Sequence, residues 1–121
     1  MVSLIPVLVV EDDPHWQEGI QVLLQQSGRF QAVSIVDHYE DALSAFTQYQ
    51  PQLVLLDWQI IGEKDGLDVG HKLLQLGLAS HQIVLISAAN PQSIPSHPFL
   101  YIPKNQISDQ LLPLLDALFP A

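Results

Sequence analysis

Acidic side chains follow two apolar runs of this chain at the points where those runs end. The run "LIPVLVV" is followed by Glu11, Asp12 and Asp13. The run "LVLL" is followed by Asp57. Clustered carboxylates repel one another, so they bind protons or a cation when a fold brings them together. Mg²⁺ prefers oxygen ligands and is commonly held by one or two carboxylates with water and phosphate oxygens. These acids therefore predict a magnesium site, provided that the two runs are neighbours.

Two further polar side chains follow later apolar runs. Ser87 ends the run "IVLIS", and Lys104 follows "FLYIP". An ammonium group offers a point charge to an anion, and a hydroxyl group offers a hydrogen bond. Carboxylate, divalent cation, hydroxyl and ammonium together suit phosphoryl transfer to an aspartate, because the metal and the lysine neutralise the developing charge.

Apolar strand patterns alternate with helical patterns, and this alternation predicts the elements that position the polar side chains. Strands are predicted at "LIPVLVV", "FQAVSIV", "LVLLD", "IVLIS" and "FLYI". Helices are predicted after the first, second, third and fifth of them, where apolar residues recur at helical spacing. Strands that are apolar throughout indicate a parallel sheet covered on both faces, hence a doubly wound α/β domain. Such sheets bind ligands beyond the carboxyl ends of their strands.

Several residues mark the predicted helix ends. Asp13 suits a helix cap and Pro14 suits the first helical position, so we interpret Asp13 as a cap rather than as a metal ligand. Asp37 and Glu40 have the spacing of a capping box. Pro113 lies near the predicted start of the last helix, "DQLLPLLDALF", so we expect a late start or a bend there.

The composition excludes several classes of function. The 121 residues suit one domain, and the hydrophobic fraction of 48% is sufficient for a core. A net charge of −9 argues against direct binding to nucleic acid or to an anionic membrane. The chain has no cysteine, which excludes thiol catalysis and suits a cytoplasmic protein. The histidines show no zinc-ligand spacing and are interpreted as surface residues. They are His15, His38, His71, His81 and His97.

Five short motifs, in order along the chain, resemble the receiver domain of bacterial two-component response regulators. They are "VLVVEDDP", "LVLLD", "DGL", "LISA" and "YIPK". The resemblance covers essentially the whole chain, so residues 1–121 are interpreted as a single receiver domain. It implies a five-stranded, flavodoxin-like parallel sheet in the order 2-1-3-4-5 and a cytoplasmic phosphoprotein of a two-component system.

The resemblance also implies roles for the acidic residues. Asp57 matches the phosphoacceptor of the family. Glu11 and Asp12 match the acidic pair that holds Mg²⁺, with Asp12 preferred as the direct ligand. Asp57 itself and the backbone carbonyl of Gln59 would complete the metal site. The chain would then be a phosphoacceptor with at most slow autodephosphorylation rather than an ordinary enzyme.

The same resemblance implies a switch and its partners. Lys104 would pair with the phosphoryl group, Ser87 would move towards it, and Tyr101 would swing inward when Ser87 moves. The phosphodonor would be a sensor histidine kinase or a phosphotransfer protein. Phosphorylation would shift the population between two arrangements of an output surface. A homodimer is left open.

The sequence departs from the family pattern in three places. The loop after Asp57, "WQIIGEKDG", has Ile61 where the family has proline and is one residue longer. Pro103 precedes Lys104, whereas the family proline follows the lysine. The segment "AANPQSIPSHPFLY" is too short and too rich in proline for a full fourth helix, so we expect a loop or one helical turn.

Two other functions remain as alternatives at this point. A pseudo-receiver would keep the fold as a protein-interaction module without using phosphorylation. The missing fourth helix and the altered loop favour it, whereas the intact set of Glu11, Asp12, Asp57, Ser87 and Lys104 argues against it. A phosphatase of the haloacid dehalogenase type needs a second acid two residues after its nucleophile, and Gln59 stands there instead.

Trp58 has four open interpretations: a shield for the acyl phosphate, a restriction on kinase access, a partner contact, or an exposed loop aromatic.

Overall fold

Five parallel strands form a single sheet in the computed structural model, which describes residues 3–120. The strands are β1 (Ile5–Val10), β2 (Phe30–Val36), β3 (Leu53–Asp57), β4 (Ile83–Ser87) and β5 (Leu100–Pro103). Their order across the sheet is β2-β1-β3-β4-β5. Every neighbouring pair is parallel, which confirms the predicted doubly wound sheet.

Four helices cover the two faces of the sheet. They are α1 (Pro14–Ser27), α2 (Tyr39–Tyr49), α3 (Gly66–Gln75) and α4 (Ile107–Leu118). Buried residues of α1 and α4 share one core cluster with alternate residues of β1, such as Val7 and Val9. Buried residues of α2 and α3 share the other cluster with Leu8 and Val10. The alternation shows why strands covered on both faces are apolar throughout.

The ends of α1 and α2 give different outcomes for the two predicted caps. Asp13 caps α1, since its carboxylate accepts a hydrogen bond from the His15 backbone N–H at 2.9 Å. The prediction of a capping box at Asp37 and Glu40 is wrong, because His38 is the cap residue of α2 and makes no side-chain cap hydrogen bond. The Asp37 carboxylate instead lies 2.7 Å from His38 Nδ1. Pairing with the imidazole therefore replaces capping at this position.

The connection from β4 to β5 contains no α-helix over the described residues 88–99, as the prolines predicted. A 3₁₀ turn at Pro91–Ser93 is the regular structure in this segment. Phe99 is buried and covers α3 where the missing helix leaves space. The Phe99 ring lies so close to Gly70 that a Cβ built on this glycine would be 2.5 Å from Phe99 Cζ. The Phe99 ring therefore packs the end of this segment against α3.

The last helix begins earlier than predicted. The structure has α4 starting at Ile107, so Pro113 lies in its interior and the expected late start is wrong. Ile107, Leu111 and Leu115 are all buried on the core face of the helix. Their burial outweighs the local cost of a proline that lacks an N–H and crowds the preceding turn. None of the helices described over residues 3–120 is long and apolar enough to cross a membrane.

The start of α3 lies directly against the backbone of β3. Gly66 donates a backbone hydrogen bond to the Trp58 carbonyl at 2.7 Å. A Cβ built on Gly66 would be 1.9 Å from the Asp57 carbonyl oxygen, so this position requires glycine. Asp65 caps the helix in a reciprocal capping box with Asp68. This close approach fixes the path of the chain that follows Asp57.

We expect Pro113→Ala to raise the free energy of unfolding by about 2 kcal/mol, because the ring is exposed and alanine restores a helix-compatible backbone. Urea unfolding of the two proteins measures this gain. Pro91→Ala is the matched control: Pro91 is also exposed but starts a 3₁₀ turn, so its replacement should lower stability by about 1 kcal/mol or less. Equal effects of the two substitutions would contradict the account of α4.

We expect Gly66→Ala to lower the free energy of unfolding by about 3 kcal/mol, because the new methyl group meets the backbone of Asp57 rather than a mobile side chain. Gly19→Ala is the control, since Gly19 lies within α1 with open space around it. That substitution should raise stability by about 0.5–1 kcal/mol. A Gly66→Ala protein as stable as the parent would show that α3 does not rest on β3 in this way.

Candidate functional site

Strand pairing brings the predicted acids to one edge of the sheet. Val10 at the end of β1 pairs with Leu56 of β3, so Glu11 and Asp57 are the next residues of two adjacent strands. Glu11 and Asp57 are 1% and 7% exposed, whereas Asp12 is partly exposed. One carboxylate oxygen of each residue lies within 4.8 Å of the other two. The structure therefore assembles the three-carboxylate cluster that the sequence predicted.

Lys104 reaches this acidic cluster from the end of β5, the edge strand that lies two strands away from β3. It is the first residue of the turn Lys104–Gln106 after β5, and its side chain reaches past β4 to β3. Lys104 Nζ lies 2.9 Å from Asp57 Oδ2 and 2.7 Å from Glu11 Oε1. The residue is only 7% exposed. A buried ammonium of this kind requires anionic partners, and the two carboxylates provide them.

The Glu11 carboxylate is under-partnered for a buried charge. Its Oε2 accepts a hydrogen bond from the Asp13 backbone N–H at 3.1 Å. Its Oε1 is in ion-pair contact with Lys104 but, among the described residues, has no well-directed hydrogen bond. Burial raises the pKa of Glu11 to about 7, although Lys104 and the Asp13 N–H favour the charged form. This oxygen can therefore accept a proton or a cation.

Burial and the neighbouring carboxylates also act on the pKa of Lys104. Burial acts to lower the pKa of its ammonium group, but the hydrogen bonds and charges of Glu11 and Asp57 outweigh burial and raise that pKa. The lysine is therefore charged at neutral pH. One cation faces two buried acids, so the pocket retains a deficit of positive charge that a divalent ion would offset. Oxygen donors from Glu11, Asp12 and Asp57 fit a hard cation such as Mg²⁺.

Ser87 and Tyr101 lie beside the acidic cluster rather than within it. Ser87 is buried, and its Oγ accepts a hydrogen bond from the Ala89 backbone N–H at 3.0 Å. The Tyr101 hydroxyl is 3.4 Å from the carbonyl oxygens of both Ser87 and Ala89, so each contact is a long hydrogen bond. Burial raises the pKa of this hydroxyl. Ser87, Tyr101 and Lys104 all line a cavity of about 720 Å³.

Three hydrogen bonds hold the loop after Asp57 in place. The Gln59 backbone N–H donates to Asp57 Oδ1 at 3.4 Å, a long contact. The Trp58 indole N–H donates to Asp65 Oδ2 at 3.1 Å, and its ring is half-buried against the α2–α3 core. The Ile61 N–H donates to the Asp37 carbonyl at 3.1 Å. The Trp58 indole is therefore held by its own loop, which argues against the interpretation as a freely exposed aromatic.

Two contacts were not predicted from the sequence. Trp16 was assigned only to the core face of α1, but its ring centroid lies 5.1 Å from Lys104 Nζ. His38 was interpreted as a surface residue, but its ring lies between the Asp37 and Asp41 carboxylates, at 2.7 Å and 3.5 Å. The hydrogen bond that the His38 ring donates to the Asp37 carboxylate raises the pKa of His38. The i to i+3 spacing of His38 and Asp41 was the one available signal for this cluster.

Comparison with known proteins gives one family. The model of the response regulator receiver domain matches residues 7–99. The transcriptional regulatory protein CitB of Klebsiella pneumoniae is 33% identical over 89 residues, which are 71% of this chain and 36% of that protein. This chain therefore spans about a third of the length of that relative.

Solved receiver domains share the fold at low sequence identity. The signal receiver domain of the response regulator NarL from Mycobacterium tuberculosis superposes with a TM-score of 0.79 at 23% identity, covering 98% of this chain and 99% of that one. A two-component response regulator of the LuxR family from Aurantimonas sp. gives a TM-score of 0.84 at 18% identity, covering 96% and 85%. The family match over most of the chain, together with this shared fold, shows that the chain belongs to the response regulator receiver domains.

Proposed function

We propose that this chain is a phosphorylatable receiver in which Asp57 accepts a phosphoryl group from a histidine kinase or a phosphotransfer protein. The observation that carries the proposal is the position of Lys104 Nζ, 2.9 Å from Asp57 Oδ2 and 2.7 Å from Glu11 Oε1. An ammonium group held at this carboxylate faces the place where the negative charge of a phosphoryl group develops.

The transfer step uses groups that the structure places together. An oxygen of the Asp57 carboxylate attacks phosphorus, the bond between phosphorus and the donor imidazole nitrogen breaks, and the imidazole takes a proton from solvent. The product is an aspartyl phosphate. Oδ1 is the less occupied oxygen, because among residues 3–120 it accepts only the long hydrogen bond from the Gln59 N–H at 3.4 Å. Lys104 stays beside the carboxylate and offsets the charge of the transferred group.

Mg²⁺ is the cofactor that these residues suit. We assign Asp12 and Asp57 as its ligands, with Glu11 as the third acid of the cluster and the Gln59 backbone carbonyl as a further donor. When bound, the ion would neutralise phosphoryl oxygens and orient them for in-line transfer. The buried Glu11 Oε1, which lacks a well-directed hydrogen bond among the described residues, supports an additional cationic partner here.

The switch is assigned to Ser87 and Tyr101. Ser87 is buried at the end of β4, beside the phosphoacceptor strand, and Tyr101 lies over the Ser87–Ala89 backbone. The two hydrogen bonds of the Tyr101 hydroxyl are both 3.4 Å long, so they are weak and a modest stabilisation of Tyr101 in another position can outweigh them. Movement of Ser87 towards a phosphoryl group would favour that other position of the tyrosine. The affected surface is the β4–β5 segment, which has a 3₁₀ turn in place of a helix.

A pseudo-receiver is the second candidate, and two observations favour it. Lys104 pairs with both Glu11 and Asp57, so the pocket is partly neutralised by its own residues. The segment between β4 and β5 also departs from the usual output surface. Such a module would bind a partner through the same surface without responding to phosphodonor.

The wider role follows from the family. We propose a single receiver domain over residues 1–121 that acts in the cytoplasm as a signal receiver, with at most slow autodephosphorylation. A net charge of −9 makes direct contact with nucleic acid or an anionic membrane unfavourable. Any transcriptional output, as in the longer relative, would lie outside this chain.

Asp57→Asn should abolish covalent phosphorylation, because the amide is not a nucleophile towards phosphorus. The measurement is intact mass after incubation with acetyl phosphate and Mg²⁺, with a chelator arm that should also prevent the mass gain. Asp13→Asn is the matched control: this neighbouring residue caps α1, and asparagine caps equally well, so phosphorylation should be unchanged. A parent protein that binds Mg²⁺ but gains no mass at saturating donor would support the pseudo-receiver.

The affinity for Mg²⁺ should rise with pH until about pH 7 and then level off. Glu11 has a raised pKa of about 7, so below that pH the metal must displace a proton, and affinity should increase by up to about tenfold per pH unit. Calorimetric titration from pH 6 to pH 8, in two buffers of different ionisation enthalpy, measures both affinity and proton release. Glu11→Gln should bind more weakly and without this slope, and a persisting slope would assign the proton to another group.

A further inference from the structure

The Lys104 ammonium has a third neighbour besides its two carboxylates. Its Nζ lies 5.1 Å from the centroid of the Trp16 ring, within the range of a cation–π contact. Both residues line the same cavity of about 720 Å³. The indole therefore forms part of the wall of that cavity, next to the ammonium.

Trp16 is held firmly enough to act as a wall. It is the third residue of α1, whose first turn is fixed by the Asp13 cap. Gln17 next to it donates its side-chain amide to the Glu11 carbonyl at 2.7 Å, which ties the helix to the end of β1. The Trp16 ring is half-buried against the α1–α4 core. By contrast, Lys104 begins a short turn and carries a long flexible stem, so the ring is the more rigid partner.

We propose that Trp16 is a positioning residue for Lys104: its ring face holds the ammonium against Asp57. The proposal rests on the proposed function, since Lys104 matters there through its contact with a phosphorylated Asp57. The ring attracts the ammonium through its quadrupole, an interaction that strengthens as the pair loses water. Lys104 is only 7% exposed, so its side of the contact has little access to water.

A packing role alone does not account for this arrangement. A leucine at position 16 would still fill apolar space against the α1–α4 core, but it presents no negative face to a cation. Phenylalanine keeps a ring with the same sense of quadrupole at lower strength. The two substitutions therefore separate packing from attraction, which makes them the test pair.

The test is a double-mutant cycle on the rate of Asp57 phosphorylation by acetyl phosphate with Mg²⁺, followed by intact mass. The usual range of cation–π energies corresponds to about a 2- to 20-fold change in rate. We therefore expect Trp16→Leu to slow phosphorylation by that factor and Trp16→Phe to slow it less. In a Lys104→Met background, Trp16→Leu should change the rate less than 2-fold. An undiminished effect in that background would overturn the proposal.

Loss of stability is separated by a control in the same helix. Leu23 is partly buried against the same core cluster, so Leu23→Ala should lower the free energy of unfolding without slowing phosphorylation of the folded protein. If Leu23→Ala and Trp16→Leu slow phosphorylation equally at matched stability, the effect is general and the positioning role is wrong.

A second readout does not depend on phosphorylation at all. In the metal-free protein, the Lys104 side-chain methylene protons next to Nζ should show an upfield ring-current shift by nuclear magnetic resonance. The shift should disappear in Trp16→Leu and persist in Trp16→Phe. An unchanged spectrum in Trp16→Leu would refute the contact. If phosphorylation fails in the parent protein while this shift behaves as expected, the proposed function fails and the placement of Lys104 by Trp16 stands.

Discussion

The ion pairs of Lys104 with Glu11 and Asp57 constrain the rest of the site. Three segments that follow β1, β3 and β5 meet in this contact, so the strand order of the sheet and the path of each chain end must agree. Removing Lys104 would leave two buried carboxylates without their cation, which costs several kcal/mol. The apolar strands and the helices that cover them therefore serve to hold three charged groups within a few ångströms.

Residues around these ion pairs hold the Asp57 backbone and the Lys104 side chain in place. Gly66 lets α3 approach the Asp57 backbone, and the Trp58 indole is tied to the cap of the same helix. Trp16 closes the side of the ammonium that faces the cavity. Support therefore comes from both layers of helices, α3 on one face and α1 on the other. The loop after Asp57 keeps its shape through the contacts of Gly66 and of the Trp58 indole.

Much of the fold follows from simple patterns in the chain. The apolar strands and the helical spacing predict a parallel sheet with both faces covered, and the polar residues at strand ends predict where the acids meet. Asp13 and Pro14 mark the start of α1 correctly because a cap and a first-turn proline depend on local backbone geometry. The prolines between Ser87 and Lys104 exclude a full helix for the same local reason.

The errors lie where distant contacts outweigh local preference. Pro113 should delay a helix, yet burial of Ile107 and Leu111 stabilises the turns before it. Asp37 has the spacing of a cap, yet His38 offers its carboxylate a closer partner. The Trp16–Lys104 contact could not be read from spacing, because it depends on how far α1 rotates about its axis. The Phe99 ring beside Gly70 has a further consequence: it anchors the far end of the segment 88–98 on α3, so a rearrangement near Ser87 can bend that segment while the start of β5 keeps its place.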